Sequence, residues 1–321
     1  MINNNRKGLF VFSDPGGAKP ILSFIKIHNI KEFVVISDRS YQFYDLFEID
    51  VKLVKKIDLD FLDNYKPDYI FSGTSYTSSL ELEHLSYAKI NNIESFAYVD
   101  HYSKINERFN HKDLTIYPNH ICLIDNYAKK LAIKLKMDGY SNLHVIGNYY
   151  LKFLNNWTPD ITKEMLFNDL KINTKQKTIL FVPDPISNLD WKLKYNFDEV
   201  DLWNLLSLTI NEKNNDVVVL IKMHPNQNVK YLKSAIENQP VSNVIFLDEK
   251  KTMHCFCHTD LIIGIFSSIL IEANIFNKKI IRFVPKGIED FLKSKDVGIL
   301  FRESEKLTNY IKKTIYVGKI Y

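Results

Sequence analysis

Short runs of apolar residues recur along the first half of the chain, and polar loops and helical segments alternate with them. Short all-apolar strands that alternate with helices are typical of a parallel sheet covered by helices on both faces. The predicted strands of this half are Leu9–Phe12, Phe33–Ile36, Tyr69–Ser72, Ser95–Val99, His120–Ile124 and Leu143–Ile146.

A polar break around Asn155–Asp160 interrupts this alternation, which then starts afresh. The second set of strands is Thr178–Val182, Val217–Ile221, Val244–Leu247, Leu261–Ile265 and Lys279–Phe283. A chain of 321 residues is comfortable for two domains of roughly 150 residues each. We therefore predict an α/β protein with two Rossmann-like doubly wound lobes, residues 1–155 and 156–321, that face a central cleft.

Composition narrows the classes of partner and compartment. The net charge of +4 is spread along the chain among acidic residues, so no nucleic-acid partner is expected. Three cysteines, an odd number, argue against a disulfide framework. No apolar run reaches the roughly 18 residues that a membrane-spanning helix needs. We expect a cytoplasmic protein, and peripheral association with the inner face of the membrane is left open.

The strongest chemical signal is the segment Ile221–Asn226, which follows a buried strand directly. In open parallel sheets, ligands bind outside the carboxyl ends of the strands, where Lys222 and His224 are expected. Pro225 restricts the backbone of the histidine before it. A cation and an imidazole donor at this place can hold a phosphate and neutralise a departing nucleotide. The alternative is a strand-end turn with a hydrogen-bonded histidine.

A second signal follows the strand that ends near Gly264. Ser267 and Ser268 are expected near the N-cap of a helix, where hydroxyls and unpaired backbone N–H groups together bind anions. Glu272, one turn into that helix, could accept hydrogen bonds from the hydroxyls of a ribose. A serine pair that only caps a helix is the alternative.

Together these motifs resemble a known group of enzymes. Lys-x-His-Pro, followed some forty residues later by Ser-Ser-x-x-x-Glu, is similar to the C-terminal lobe of GT-B-fold transferases over roughly residues 175–300. The similarity is greatest to bacterial sialyltransferases and Kdo transferases, which use CMP-sugars, and to CDP-glycerol-type polymerases. The resemblance implies that His224, Ser267 and Ser268 bind the CMP phosphate. Asp184 and Ser187, in a loop expected at the same sheet edge, are further candidates for contact with the nucleotide or sugar.

The N-terminal lobe is expected to bind the acceptor and to supply the base. Gly16 and Gly17 follow the first strand and allow a ligand to approach the backbone closely. Asp14, and next Asp100, are the candidate bases that take the proton of the attacking hydroxyl. The acidic-Gly motif that holds the base in sialyltransferase-like families is not visible here, so the choice between the two stays open.

Three polar residues after other predicted strands, Ser75, His101 and Arg108, are expected to contact the acceptor. Roles in turns or helix caps are the alternative for each of the N-terminal candidates.

No metal site is expected. The cluster His254–His258 is compact, whereas structural zinc ligands come as spaced pairs. No Asp-x-Asp motif stands in a convincing position. We therefore expect metal-independent catalysis with no cofactor and with the nucleotide-sugar as a substrate.

The leading hypothesis is an inverting glycosyltransferase that moves a nonulosonic acid (sialic-acid-like) or Kdo from a CMP-sugar to a surface glycan or glycolipid acceptor. The alternatives are a transferase that uses CDP-glycerol or a UDP-sugar, an enzyme like UDP-sugar 2-epimerases, and a non-catalytic subunit of a glycan-assembly complex.

Overall fold

The computed structural model divides the chain into two compact lobes, an N-terminal lobe of residues Met1–Trp157 and a C-terminal lobe of residues Thr158–Tyr321. The structure describes residues 5–75, 77–102, 104–111, 114–188, 191–210, 216–224, 227–238, 241 and 243–316. None of the helices within these ranges is long and apolar enough to cross a membrane.

The N-terminal lobe contains nine of the described strands and five α-helices. Its strands are β1 (Gly8–Phe12), β2 (Phe33–Ser37), β3 (Lys52–Leu53), β4 (Tyr69–Ser72), β5 (Glu94–Val99), β6 (Asn110–His111), β7 (Leu114–Thr115), β8 (His120–Leu123) and β9 (Asn142–Val145). Its α-helices are α1 (Pro15–His28), α2 (Leu59–Tyr65), α3 (Leu80–Ile90), α4 (Asn126–Lys134) and α5 (Tyr149–Asn156).

Seven of these strands form one parallel sheet in the order β3-β2-β1-β4-β5-β8-β9, and β6 and β7 form a small antiparallel pair. The strand order reverses between β1 and β4, which are paired from Gly8 opposite Tyr69 to Val11 opposite Ser72. Every residue of β1 is buried, because helices cover both faces of the sheet at its centre. The reversal is the switch point at which such sheets bind ligands.

The C-terminal lobe contains six of the described strands and seven α-helices. Its strands are β10 (Lys177–Val182), β11 (Val217–Ile221), β12 (Val244–Phe246), β13 (Leu261–Gly264), β14 (Ile280–Phe283) and β15 (Ile299–Phe301). Its α-helices are α6 (Lys163–Asp169), α7 (Trp191–Tyr195), α8 (Glu199–Ile210), α9 (Val229–Asn238), α10 (Glu249–His258), α11 (Ile269–Asn274) and α12 (Ser304–Tyr316).

The sheet of this lobe is also parallel, in the order β12-β11-β10-β13-β14-β15, and reverses between β10 and β13. Its core joins apolar residues of the central strands to Trp203 and Leu206 of α8 and to Leu307 and Ile311 of α12. The predicted fold class, α/β with two Rossmann-like doubly wound lobes, is thus confirmed. In each lobe the polar loops of interest lie at the carboxyl edge, the side of the sheet on which the parallel strands end.

Candidate functional site

The two motifs of the C-terminal lobe lie on either side of β10 at the switch point. The N–H of Lys222 donates to the carbonyl of Phe181, 3.0 Å away, and Gly264 pairs with Val182 from the opposite side. Neighbouring strands are about 4.8 Å apart, so the backbones at Lys222 and Gly264 are about 10 Å apart. Side chains from both motifs can therefore reach one ligand that lies over the end of β10.

His224 and Lys222 bring one neutral and one positive donor to this edge. Both side chains are partly buried. Burial, together with the positive charge of Lys222, lowers the pKa of His224, which favours a neutral imidazole at pH 7. The Lys222 ammonium donates to the carbonyl of Met223 at 3.1 Å. Pro225, the other predicted residue of this motif, lies outside the described residues.

Ser267 and Ser268 occupy the turn between β13 and α11. Ser267 is buried, whereas Ser268 is exposed at the N-cap of α11 and makes no side-chain capping hydrogen bond. The helix has only six residues, so the hydroxyls and the backbone of the turn matter more here than a helix dipole. Gly264 allows α11 to pack closely, because a Cβ atom there would meet Leu270 at 3.0 Å. Glu272 lies in the first turn of α11 and is partly exposed.

Asp184 stabilises the turn between β13 and α11, which carries the two serines and is called the serine turn below. Its carboxylate is buried and accepts the backbone N–H of Phe266 at 3.1 Å, with further bonds from the N–H groups of Ile265 and Ser267. Burial raises the pKa of Asp184 to about 7, and the nearby charge of Glu199 adds to the increase. Asp184, which was predicted to contact the nucleotide or sugar, thus lies under this turn and fixes the backbone of Ser267 and its neighbours.

Ser187 is held by a buried carboxylate that the sequence did not single out. Glu199 accepts the Ser187 N–H at 2.9 Å and its hydroxyl at 2.5 Å, and it also accepts the Gln227 amide at 2.6 Å. The Gln227 N–H in turn donates to the carbonyl of His224 at 2.9 Å. Glu199 therefore ties the loop after β10 to the loop that carries His224. An acid in the first turn of a helix is too common a pattern to reveal this role.

The loop after β14 is fixed by a buried ion pair and carries an exposed aromatic ring. Arg282 and Asp290 form a buried two-point ion pair with N–O distances of 2.5 and 3.1 Å, and Arg282 also donates to the carbonyl of Val297. Within this loop Phe291 is exposed, and its ring meets Phe266 edge to face at 5.2 Å between centroids. The ion pair thus fixes the loop that places the apolar ring of Phe291 beside the serine turn.

At the carboxyl edge of the N-terminal lobe, Asp14 is the centre of a hydrogen-bond network. Its carboxylate accepts bonds from Arg39 at 2.5 Å, from the Ser75 hydroxyl at 2.6 Å and from the Thr77 hydroxyl at 3.2 Å. These donors come from the loops after β2 and β4. Asp14 therefore links three loops at the switch point, and the predicted Ser75 is one of its partners.

Asp100 is paired in a similar way. Arg108, which is buried, donates to Asp100 at 2.6 Å and to the carbonyl of Thr74 at 2.7 Å. A Cβ atom at Gly16 would lie 2.1 Å from the Asp100 carboxylate, so glycine is required there for this carboxylate to fit. At Gly17 a Cβ atom would lie 3.0 Å from the backbone of Gly73. The structure thus uses both glycines for close packing within the lobe.

His101 and Glu81 complete this edge. His101 directly follows Asp100 and is exposed, whereas Glu81 of α3 is buried and accepts the Ser13 N–H at 2.9 Å. Burial raises the pKa of Glu81 to about 8, and the charges of Asp14 and Asp38 add to the increase. A protonated Glu81 leaves the negative charge of this edge to Asp14, Asp38 and Asp100.

The histidine–cysteine cluster lies on α10. The His258 ring is 3.1 Å from the carbonyl of Ile161, and burial raises the pKa of the Cys255 thiol to about 12. Within the described part of the chain, no group of three or more His, Cys, Asp or Glu side chains is arranged to hold a metal ion.

Comparison with protein families gives one match. The family model described as "CDP-Glycerol:Poly(glycerophosphate) glycerophosphotransferase" matches residues 82–299, or 218 of 321 positions. No individual curated protein matches the sequence significantly.

Solved structures share the fold at low sequence identity. Anabaena Alr3699/HepE in complex with UDP-glucose has a TM-score of 0.57 and 16% identity, with 96% of this chain and 89% of that chain covered. UDP-GlcNAc 2-epimerase from Neisseria meningitidis, bound to UDP-GlcNAc, has a TM-score of 0.60, 16% identity and coverages of 96% and 91%. The Methanocaldococcus jannaschii UDP-GlcNAc 2-epimerase has a TM-score of 0.63, 12% identity and coverages of 96% and 92%. At these identities the likeness shows the GT-B-like fold alone.

The family match corrects the leading hypothesis on function. Transfer of a nonulosonic acid or Kdo from a CMP-sugar was wrong, and the CDP-glycerol alternative is the one that the match supports. The error has a physical cause. Lys-x-His-Pro and Ser-Ser were interpreted as phosphate ligands, and a phosphate joined to cytidine is common to CMP-sugars and CDP-glycerol. Neither motif contains a residue that recognises the group attached to the phosphate, so the motifs cannot distinguish the two classes of donor.

Proposed function

We propose that this chain, which belongs to the CDP-glycerol:poly(glycerophosphate) glycerophosphotransferase family, transfers glycerol phosphate from CDP-glycerol to a hydroxyl group of a phosphate-containing acceptor. The family assignment makes the chain a transferase with a nucleotide-activated donor, as the sequence predicted. The donor and the acceptor are inferred from the description of the family.

The proposed reaction is a displacement at phosphorus. The oxygen of an acceptor hydroxyl attacks the phosphorus that carries glycerol, and a new P–O bond forms. The bond from that phosphorus to the bridging oxygen breaks, and CMP leaves with the electron pair. A base takes the proton of the hydroxyl. Catalysis then requires donors around the charge that builds up on the leaving phosphate.

One observation carries the proposal for the C-terminal lobe: the two phosphate motifs flank β10 at the switch point. Lys222 supplies a positive charge, and His224, whose pKa is lowered, supplies a neutral N–H donor. Ser268 adds an exposed hydroxyl on the other side of β10. We assign the diphosphate to this place and the ribose hydroxyls to Glu272. The buried acids Asp184 and Glu199 hold the two loops in position.

We assign the acceptor to the carboxyl edge of the N-terminal lobe, with His101 as the base. Asp14 and Asp100 each hold a guanidinium group, so their carboxylates are committed to positioning Arg39 and Arg108. His101 presents an exposed imidazole next to this pair. An imidazole nitrogen can accept a proton from a hydroxyl, which is the role that the reaction requires.

The test measures CMP release from CDP-glycerol in the presence of a glycerol-phosphate oligomer. We expect His224→Ala to lower kcat by about 10²- to 10³-fold, as the loss of one transition-state donor does elsewhere. His101→Ala should also lower kcat, because the acceptor hydroxyl would lose its base. The matched control is His144→Ala, because His144 is exposed on β9 at the edge of the sheet.

Thermal shift separates the donor classes. CMP and CDP-glycerol should raise the melting temperature, and UDP and UDP-GlcNAc should do so much less, since only a ligand that binds the folded state stabilises it. Turnover of UDP-GlcNAc without turnover of CDP-glycerol would overturn the proposal. Normal turnover by His224→Ala would remove the assigned phosphate site.

A further inference from the structure

The loop after β14, residues 284–292, is held in place by two arginines. We call this segment the β14 loop. The buried pair of Arg282 and Asp290 ties the loop to β14 itself. Arg302 donates to three of its backbone carbonyls at 3.1, 3.1 and 2.7 Å. The loop is therefore ordered before any ligand arrives, so a ligand that binds to it does not have to order the backbone first.

Phe291 is the exposed aromatic side chain of the β14 loop. It is 52% exposed, whereas Ile288 and Leu292 of the same loop are buried and anchor it to the core. One exposed apolar residue is normal on a protein surface, so the exposure alone implies no function. What distinguishes Phe291 is its position. Its ring meets that of Phe266 edge to face at 5.2 Å between centroids, and Phe266 directly precedes Ser267 in the serine turn.

The nucleoside end of the proposed donor lies on the same side of the sheet as this ring. Glu272, to which we assign the ribose, belongs to α11, the helix after β13. Strand β14 is the next strand beyond β13, whereas Lys222 and His224 follow β11 on the other side of β10. A base attached to a ribose at Glu272 therefore lies on the side of the β14 loop.

We propose that Phe291 is the platform on which the base of the nucleotide donor stacks. The inference rests on the proposed function, because it takes the diphosphate at the serine turn and the ribose at Glu272 from that assignment. A planar base that stacks on an aromatic side chain buries apolar surface from both rings and gains affinity. A phenyl ring has no hydrogen-bonding group. Phe291 thus adds affinity for a nucleotide but does not select cytosine over uracil.

The test compares a ligand that has a base with one that lacks it. CMP and ribose 5-phosphate share the ribose and the phosphate, and only CMP has a base to stack. Their dissociation constants are measured with the full chain by ligand-observed NMR titration, which also detects weak binding. Phe291→Ala should raise Kd for CMP on the order of 10- to 100-fold and leave Kd for ribose 5-phosphate unchanged.

The matched control is Phe246→Ala. Phe246 is also an exposed phenylalanine of the C-terminal lobe, but it lies on β12, which β11 and β10 separate from β13. This variant should bind CMP like the wild type. Equal losses of both ligands in Phe291→Ala would mean that the ring only supports the serine turn, and they would overturn the proposal. Unchanged binding of CMP by Phe291→Ala would also overturn it, as would a selective loss of CMP in Phe246→Ala instead.

A second variant at the same position gives a spectroscopic signature. Phe291→Trp keeps an aromatic face, so it should retain the affinity for CMP. CMP, but not ribose 5-phosphate, should quench the emission of the added indole, which is obtained by subtracting the signal of the three native tryptophans in the wild type. Absence of quenching at saturating CMP would contradict stacking.

The same measurements distinguish failure of this inference from failure of the proposed function. If the wild type bound UMP and ignored CMP, the proposed donor would be wrong. The comparison repeated with UMP would still decide whether Phe291 is a platform, because stacking tolerates either base. If CMP bound normally to the wild type and to Phe291→Ala, the donor would stand and the platform would be rejected.

Discussion

The carboxyl edges of the two sheets have the same strand order around the switch point but opposite arrangements of charge. In the C-terminal lobe the acids Asp184 and Glu199 are buried under the loops, and Lys222, His224 and Ser268 lie nearer to solvent. In the N-terminal lobe the partly exposed acids Asp14 and Asp100 lie at the edge and hold arginines.

The difference teaches how one topology can provide for the two ligands that we propose, a donor and an acceptor. A buried carboxylate that accepts backbone N–H groups can fix a loop without presenting its charge to a ligand, so the edge above it remains a place for an anion. A carboxylate at the edge itself, neutralised by an arginine, leaves a polar surface of hydroxyls and guanidinium groups. Such a surface suits an acceptor that brings both hydroxyls and phosphates.

The largest effect should come from breaking the buried ion pair of Arg282 and Asp290 in the C-terminal lobe. Asp290→Asn leaves the buried guanidinium of Arg282 without its carboxylate, which should cost about 3–5 kcal/mol in the free energy of unfolding. The control is Glu303→Gln, because Glu303 pairs with the exposed Lys286 and Lys306 and its loss should change the free energy of unfolding little. Urea denaturation measures both. Equal losses would mean that the pair at Arg282 is no more important than a surface contact.

The second prediction tests the packing of the N-terminal edge. Gly16→Ala places a Cβ atom against the Asp100 carboxylate, and overpacking of this kind costs about 1–3 kcal/mol. Because Asp100 and Arg108 would have to shift, KM for the acceptor should rise while thermal shifts with CMP stay normal. Gly139→Ala is the control, since a Cβ atom there meets nothing within 4 Å. A normal KM for Gly16→Ala would separate this edge from acceptor binding.

The sequence predicted the central strands well, because consecutive buried residues leave a clear pattern. The predicted strand Val217–Ile221 is β11 itself, and Leu9–Phe12 differs from β1 by one residue. Two edge strands, β3 and β15, were missed, since they have only two and three residues and are too short to leave a clear apolar run.

The candidate site was predictable in position but not in its contacts. Residues after parallel strands must lie at the carboxyl edge, and the polar residues of the motifs are found there. Which side chain meets which depends on contacts across loops: Arg39 reaches Asp14 over 25 positions, and Gln227 reaches Glu199 over 28. Neither the composition of the sequence nor the spacing of its residues indicates which of them form such pairs. The leading hypothesis named the wrong donor for a related reason: a phosphate-binding motif does not indicate which group is attached to the phosphate.

The last two predictions compare the buried acids that support the two edges. The pKa of Glu81 is about 8 in the folded protein and near 4.5 in a free side chain. Folding therefore holds a proton that the unfolded chain releases, so the contribution of Glu81 to stability falls as pH rises from about 4.5 to about 8 and is constant above. Glu81→Gln removes this titration. The free-energy difference between variant and wild type should move in favour of the variant over that interval.

Asp184→Asn provides the contrast in the C-terminal lobe. The pKa of Asp184 is raised to about 7, so its contribution also falls with rising pH, between about 3.8 and 7. Its carboxylate, however, accepts three backbone N–H groups from the serine turn, and one amide oxygen replaces it poorly. Asp184→Asn should therefore be less stable than the wild type even at pH 8, where Glu81→Gln should gain. If both variants gained alike, Asp184 would be a buried charge without a positioning role, and the contrast between the two edges would fail at its base.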